Sequence, residues 1–314
     1  MGERPDISTD KSQLIQLLIW FLFVVSVFGI CARVGTNYVS SRWTLRRDDK
    51  IILVAQAVFL AQTVCVSLSA SLGLGKAIDT LSEEKTSNIL KAEYANTPLI
   101  ILTLTLVKWS LASFLYQLSL DIIHRRITTG NAIVVGLWMV TSTGASLCRC
   151  TAPAPWDFIH GQHCIDRGAW WTYVSVLNVA TELCFIVQYF MVFRSIQLSR
   201  TRRAILILIF STRILVVAAI IAQLLAFRDT YLLPDVTFNA WLPTTLNQVV
   251  GSLSITTACV PYLKPFMRSL EADIICVANI SDAEQIMPRG CNGSGATGYN
   301  LTVYRNVLTG PVSR

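Results

Sequence analysis

Residues 14–33 read LIQLLIWFLFVVSVFGICAR, twenty residues with no charge before the final arginine. At 1.5 Å per residue, a helix of about twenty residues crosses the roughly 30 Å hydrocarbon layer of a bilayer. Soluble domains hold about 25% charged residues, whereas this 314-residue chain is 14% charged and 53% hydrophobic. The stretch therefore predicts a transmembrane helix, and the composition indicates that most of the chain lies in lipid.

Six more apolar runs follow the first one. The predicted helices cover residues 14–33, 51–72, 98–120, 131–148, 172–193, 204–227 and 241–263. These runs should be helical, because each unsatisfied backbone group in lipid costs several kcal/mol. We predict an all-α polytopic membrane protein with a seven-transmembrane-helix bundle over residues 14–268. A short extracellular N-terminus, 1–13, precedes the bundle, and a disordered, partly Gly/Ser-rich cytosolic tail, 269–314, follows it.

The Lys and Arg residues between the apolar runs predict the orientation of the bundle. Thirteen of them follow helices 1, 3, 5 and 7, against eight on the opposite side. Positive-inside bias then places the N-terminus outside and the C-terminus in the cytosol of a plasma membrane or endomembrane. The basic loops could contact anionic lipid or a cytosolic signalling protein. Nucleic acid is not an expected partner, since the basic residues form no amphipathic face.

Several residues predict which parts of the helices face the bundle interior and which face lipid. The fourth run is short and contains Gly136 and Gly144, which predicts a helix packed closely among others rather than facing lipid. Asn247 and Gln248 in the seventh run should face the bundle interior. Trp170 and Trp171, near an external boundary, are expected to anchor the helix at the membrane interface.

Three ionisable residues stand inside predicted spans: Lys108, Glu182 and Arg213. All three fall near the predicted midplane, where a charge costs on the order of 2.5 to 3.5 kcal/mol, so one carboxylate should be shared by two cations. Asn178 lies one turn from Glu182 on the same helix face. Two interpretations stay open: a structural ion pair that fixes helix register, or a polar site for a ligand or an ion-coupled switch.

An external loop between helices 4 and 5 contains three cysteines. In an oxidising compartment it favours a disulfide from Cys164 to Cys150, with Cys148 as the alternative. A metal site formed by these cysteines with His160 and His163 is the competing interpretation, but the spacing matches no standard zinc pattern. We therefore predict no metal and no cofactor.

Motifs in order along residues 21–268 resemble the fungal rhodopsin-domain family of seven-helix membrane proteins, which includes satratoxin-cluster type and receptor-like proteins. The matching stretches are Arg46-Arg47-Asp48-Asp49, Lys108-Trp109-Ser110 with Tyr116, the Cys, Pro, Trp156-Asp157, Gly161 and Cys164 series, Asn178 with Glu182, Gln197-Leu198-Ser199-Arg200, Asp235-Val236-Thr237 ahead of Trp241, and Cys259-Val260-Pro261 with Pro265. The chain departs from that pattern where Glu182 replaces the usual Asp, Tyr189 a proline and Arg203 a lysine.

The resemblance implies a receptor-like protein that senses a small lipophilic ligand, or one associated with secondary metabolite (mycotoxin) biosynthesis. G-protein-coupled-receptor-like signalling is an alternative, and a transporter or membrane-embedded enzyme is a further one. No catalytic residue is predicted, because acid–base chemistry needs paired groups and Glu182 stands without a second carboxylate. Retinal photochemistry is not expected either, since helix 7 has no mid-span lysine for a Schiff base.

Overall fold

The computed structural model describes residues 12–40, 47–76, 82–119, 121–150, 155–156, 164–195, 211–231 and 240–260. Seven α-helices account for most of them: α1 (Ser12–Ser40), α2 (Arg47–Leu72), α3 (Glu83–Leu118), α4 (Ile122–Leu147), α5 (Arg167–Ser195), α6 (Arg213–Tyr231) and α7 (Trp241–Cys259). Helices α1 to α5 are each long and apolar enough to cross a membrane. The prediction of an all-helical membrane bundle is confirmed. The tail, 269–314, and the predicted beginning of helix 6 lie outside the described residues.

Aspartates cap the N-termini of helices α4 and α5. Asp121 starts α4, since its Oδ1 accepts a hydrogen bond from the Ile123 amide at 3.1 Å. Asp166 does the same for α5, accepting from the Gly168 amide at 2.8 Å. Such side-chain acceptors satisfy amide donors that have no partner inside the helix. After α2 the chain turns at Gly73, whose φ of 117° is a conformation that favours glycine.

Helix α3 is the central helix of the bundle. It packs along α2 and α4 and also contacts α7, and 61% of its most apolar window is buried. It begins at Glu83, fifteen residues before the predicted start, because the hydropathy window detects only the part that matches hydrocarbon. Helix α7 contacts α1, α2, α3 and α6, and α5 contacts α4 and α6. The central position of α3 lets its side chains reach several other helices.

Helix α4 is peripheral, so the prediction of a closely packed fourth helix is wrong. Only 22% of its apolar window is buried, and the side chains of Ile133, Val134, Leu137 and Val140 are each at least half exposed. Its small residues do not all mediate close helix contact: a Cβ on Gly144 would meet no atom within 4 Å of it, while one on Gly136 would touch Trp109. The close approach is instead in α7, where a Cβ on Gly251 would lie 2.6 Å from the Phe59 ring.

Candidate functional site

The four residues predicted to lie near the midplane come together in the structure. Lys108 of α3 lies with its Nζ 3.7 Å from Glu182 Oε1 of α5, and Arg213 of α6 places Nη1 3.3 Å from Glu182 Oε2. The Lys108 Nζ also donates to the backbone oxygen of Asn178 at 3.1 Å and to its Oδ1 at 2.6 Å. Lys108, Glu182 and Arg213 are each about 1% exposed. We call this group, with Thr181, the central cluster.

The central cluster has one more cation than carboxylate, and neutral groups compensate for the difference. Thr181 Oγ1 accepts from Lys108 at 2.5 Å, and the Trp138 ring lies under the ammonium at 5.1 Å from its centroid. Arg213 Nη2 donates to the backbone oxygen of Ser254 in α7 at 3.3 Å. Buried cations are tolerated where hydrogen-bond acceptors and aromatic faces replace water. The cluster thereby joins α3, α5, α6 and α7.

Sequence reasoning identified the charged members of the central cluster but not Thr181, Trp138 or Ser254. Thr181 carries a detectable signal, since it lies between Asn178 and Glu182 on the same helix face. Trp138 and the Ser254 carbonyl carry none, because their approach depends on how α4 and α7 pack. Chemically, one carboxylate held between two cations offers no free acid–base pair.

A second buried ionic group was missed, and we call it the inner cluster. Arg33 was counted with the loop residues, but it lies within α1 and is fully buried. Its Nε donates to Asp49 Oδ1 at 3.1 Å, and its Nη2 to Asp48 Oδ2 at 3.0 Å and Ser110 Oγ at 3.1 Å. Arg33 Nη1 also donates to the backbone oxygen of Ala258. This group joins α1, α2, α3 and α7 at the end predicted to face the cytosol.

The opposite end of the bundle, predicted to face outside, is held by the confirmed Cys150–Cys164 disulfide. The backbone pairs beside it, with the Ile165 amide donating to the Arg149 oxygen at 2.8 Å. Cys148 is a free, exposed thiol. His160 and His163 lie outside the described residues, and the described part of the chain contains no group of three metal-ligating side chains. The bridge ties the end of α4 to the start of α5.

Next to the disulfide is a cavity of about 80 Å³, which we call the outer cavity. Its lining combines aromatic and charged side chains: Leu74, Ile89, Leu90, Glu93, Thr97, Arg149, Trp156, Arg167, Trp170, Trp171, Phe227, Ala240, Pro243, Thr244 and Asn247. Asn247 is hydrogen-bonded to Gln223 of α6, and Gln248 donates to Thr63 at 2.5 Å, so both polar residues of α7 face inward. Sequence reasoning did not predict this cavity.

Arg149 is held in the outer cavity by a hydrogen bond and by a contact with an aromatic ring. Its Nη2 donates to Thr97 Oγ1 at 2.7 Å, and its guanidinium carbon lies 4.8 Å from the centroid of Trp170. Partial burial, and then the neighbouring positive charge of Arg167, lower the pKa of Arg149 to about 10. The guanidinium is therefore still protonated at neutral pH, in surroundings that favour the approach of an anion.

Trp170 and Trp171 do not act simply as anchors at the membrane interface. Trp171 is only 7% exposed, and its ring centroid lies 5.2 Å from that of Trp170 and 5.6 Å from that of Phe227 in α6. Both indoles line the outer cavity. The interface prediction failed for Trp171 because position along a helix does not determine which face of the helix meets lipid.

The helices, the buried ionic clusters and the disulfide together define a multi-pass α-helical membrane protein of the seven-helix type. A family model described as the fungal rhodopsin domain matches residues 32–269. The chain belongs to this family, and the match covers all the helices from the end of α1 to α7. Comparison with curated proteins gave no match.

Proposed function

We propose that this protein is a receptor-like sensor of a small lipophilic ligand that binds in the outer cavity. The observation that supports the proposal is that the same helices form both the outer cavity and the central cluster. Side chains of α3, α5, α6 and α7 line the outer cavity, and the same four helices meet at the central cluster. A ligand that moves any of them at the cavity acts on helices already joined by charge.

The distances between the two sites suit such coupling. Thr97 precedes Lys108, and Trp171 precedes Glu182, by eleven residues each, which is about 16 Å along a helix. Buried charges have few alternative partners, so a helix shift of an ångström or two changes which contacts the central cluster makes. In this proposal the outer cavity binds the ligand, and Lys108, Asn178, Glu182 and Arg213 transmit its effect.

Two variants separate binding from transmission. Thr244→Phe places a larger side chain in the outer cavity. Glu182→Gln removes the carboxylate that Lys108 and Arg213 share, which is only 1% exposed. Thermal unfolding of the protein in nanodiscs would be measured with lipophilic fractions of the culture medium. We expect Thr244→Phe to lose the ligand-induced stabilisation and Glu182→Gln to keep it. Leu225→Phe, at an exposed position of α6, is the matched control.

The cellular arm of the experiment uses a deletion strain complemented with each variant. Transcript changes on adding the active fraction should disappear with both Thr244→Phe and Glu182→Gln, and persist with Leu225→Phe. A normal response from both site variants would contradict the proposal. Metabolite profiling of the same strains tests the alternative role in secondary metabolism. Accumulation of a pathway intermediate in the deletion strain, independent of the added fraction, would favour that role.

A further inference from the structure

The outer cavity combines a net positive charge with hydrogen-bond donors that have no partner. Among the residues that the structure describes, two cations, Arg149 and Arg167, and one carboxylate, Glu93, line the cavity. Glu93 accepts from Thr244 Oγ1 at 3.4 Å and from Asn96 Nδ2 at 3.5 Å, and it also interacts with the positive charges of Arg149 and Arg167. The charge balance of the lining therefore favours an anion over a cation or a neutral molecule.

The unpartnered groups of the lining are all donors. Within the described part of the chain, no acceptor lies within hydrogen-bond distance of Arg149 Nε, Trp170 Nε1 or Trp171 Nε1, although these atoms are buried. A buried donor without an acceptor costs about 1 to 3 kcal/mol. A guanidinium or indole N–H cannot act as an acceptor, so a ligand that satisfies them must supply oxygen acceptors.

The position of Arg149 is fixed before any ligand binds. The Cys150–Cys164 disulfide follows it directly, Thr97 accepts from its Nη2, and Trp170 stacks beside its guanidinium. A preorganised arginine loses little conformational entropy on binding and presents the planar fork that matches a carboxylate. The cavity, about 80 Å³ in volume, is lined by Trp170, Trp171 and Phe227 beside the guanidinium, which suits a carboxylate that is joined to an apolar body.

We propose that the outer cavity binds a lipophilic carboxylate, with the carboxylate at Arg149 and the Trp170 and Trp171 indole N–H groups, and the apolar body against the aromatic lining. This inference rests on the proposed function, because it names the ligand class of that same cavity. It also explains why two tryptophans near a helix start turn toward the bundle rather than toward lipid.

The test uses a matched pair of probes, 4-phenylbutyrate and its neutral amide, 4-phenylbutyramide. The full chain would be placed in nanodiscs of phosphatidylcholine alone, so that no anionic lipid competes, and binding followed by quenching of tryptophan fluorescence. We expect the acid to bind at least tenfold more tightly than the amide. Arg149→Gln should bring the two dissociation constants within about twofold of each other. Arg228→Gln, at an exposed arginine of α6 outside the cavity, should preserve the difference.

Two further variants keep the test informative if Arg149→Gln does not fold. Arg149→Lys keeps the charge but loses the planar fork, and Trp171→Phe keeps a ring but loses the N–H. Each should weaken binding of the acid about tenfold, the effect of losing one hydrogen bond to a charged group. Equal binding of acid and amide would overturn the carboxylate assignment while leaving a ligand cavity. If neither probe binds, the carboxylate proposal is also overturned, and the Thr244→Phe experiment decides the proposed function separately.

Discussion

The inner and central clusters are both fully buried ionic groups, but their charge ratios are opposite. Among the described residues, the inner cluster has one cation, Arg33, and two carboxylates, Asp48 and Asp49. The central cluster has two cations and the single carboxylate of Glu182. In this part of the chain the two groups differ in which charge is in the majority, and different neighbours stabilise them.

The position of Asp48 and Asp49 in the fold helps to stabilise the carboxylates of the inner cluster. Asp48 and Asp49 lie in the first turn of α2, where the partial positive charge of the helix N-terminus stabilises carboxylates. Gln117 also donates to Asp48 Oδ1 at 3.4 Å. The central cluster surrounds its excess cation with the Asn178 and Thr181 oxygens and the Trp138 ring. A buried ionic group can therefore contain unequal numbers of cations and carboxylates where helix ends or neutral hydrogen-bond partners stabilise its charges.

The largest expected effect comes from removing the arginine of the inner cluster. Arg33→Leu takes away a buried guanidinium that binds two buried carboxylates, which should reduce the free energy of unfolding by about 3 to 5 kcal/mol. Unfolding in nanodiscs by heat or denaturant measures it. Arg228→Leu, at an exposed arginine, is the control and should stay within about 0.5 kcal/mol of the wild type. A loss below about 1 kcal/mol for Arg33→Leu would show that the inner carboxylates do not need Arg33.

Glu182→Gln should reduce the free energy of unfolding by about 3 kcal/mol, less than Arg33→Leu does. The loss is smaller because Lys108 keeps the oxygen acceptors of Asn178 and Thr181. Combining Glu182→Gln with Lys108→Met in a double variant also removes one of the two cations that Glu182 had paired with. The double variant should recover about 1 to 2 kcal/mol relative to Glu182→Gln, as coupled neighbours do. Unfolding free energies of the two single variants and the double variant give the coupling directly. Strict additivity would mean that Lys108 and Glu182 do not interact.

The smallest effects should come from the neutral partners of each cluster. Ser110→Ala removes the hydroxyl that accepts from Arg33 and donates to the Asp48 backbone oxygen, so we expect a loss of about 1.5 kcal/mol. Thr181→Ala should cost about 1 kcal/mol, since Lys108 keeps two other oxygens. Ser71→Ala, at an exposed serine, serves as the control. If Thr181→Ala lowered the free energy of unfolding more than Ser110→Ala, neutral acceptors would contribute more to the central cluster than to the inner cluster, contrary to this prediction.

The difference between the clusters also explains which of them sequence reasoning could find. The charges of the central cluster interrupt long apolar runs, so their cost in lipid is visible from composition alone. Arg33 lies at the end of its run, where an arginine ordinarily indicates a cytosolic loop. Its separation of only 15 and 16 residues from Asp48 and Asp49 was the available signal, since consecutive antiparallel helices of a bundle bring the end of one close to the start of the next.

The outer cavity could not be predicted by the same reasoning. Its residues come from the ends of helices and from the segment around Arg149, and none of them is unusual in its own stretch of sequence. Glu93 and Thr97 lie in the polar beginning of α3, which a hydropathy window of about 19 residues treats as loop. The disulfide next to the cavity was predictable, because cysteines in a loop predicted to face an oxidising compartment tend to form disulfides.

The apolar runs, the charges inside them and the loop cysteines were enough to predict a bundle of membrane helices, the grouping of Lys108, Glu182 and Arg213, and the Cys150–Cys164 pair. Each of these features is local, because hydrocarbon penalises a charge or an unpaired backbone group wherever it occurs along the chain. The peripheral position of α4, the inward-facing Trp171 and the burial of Arg33 became visible in the folded bundle alone. Those outcomes depend on helix rotation and on packing between distant segments, which a run of hydrophobic residues does not specify.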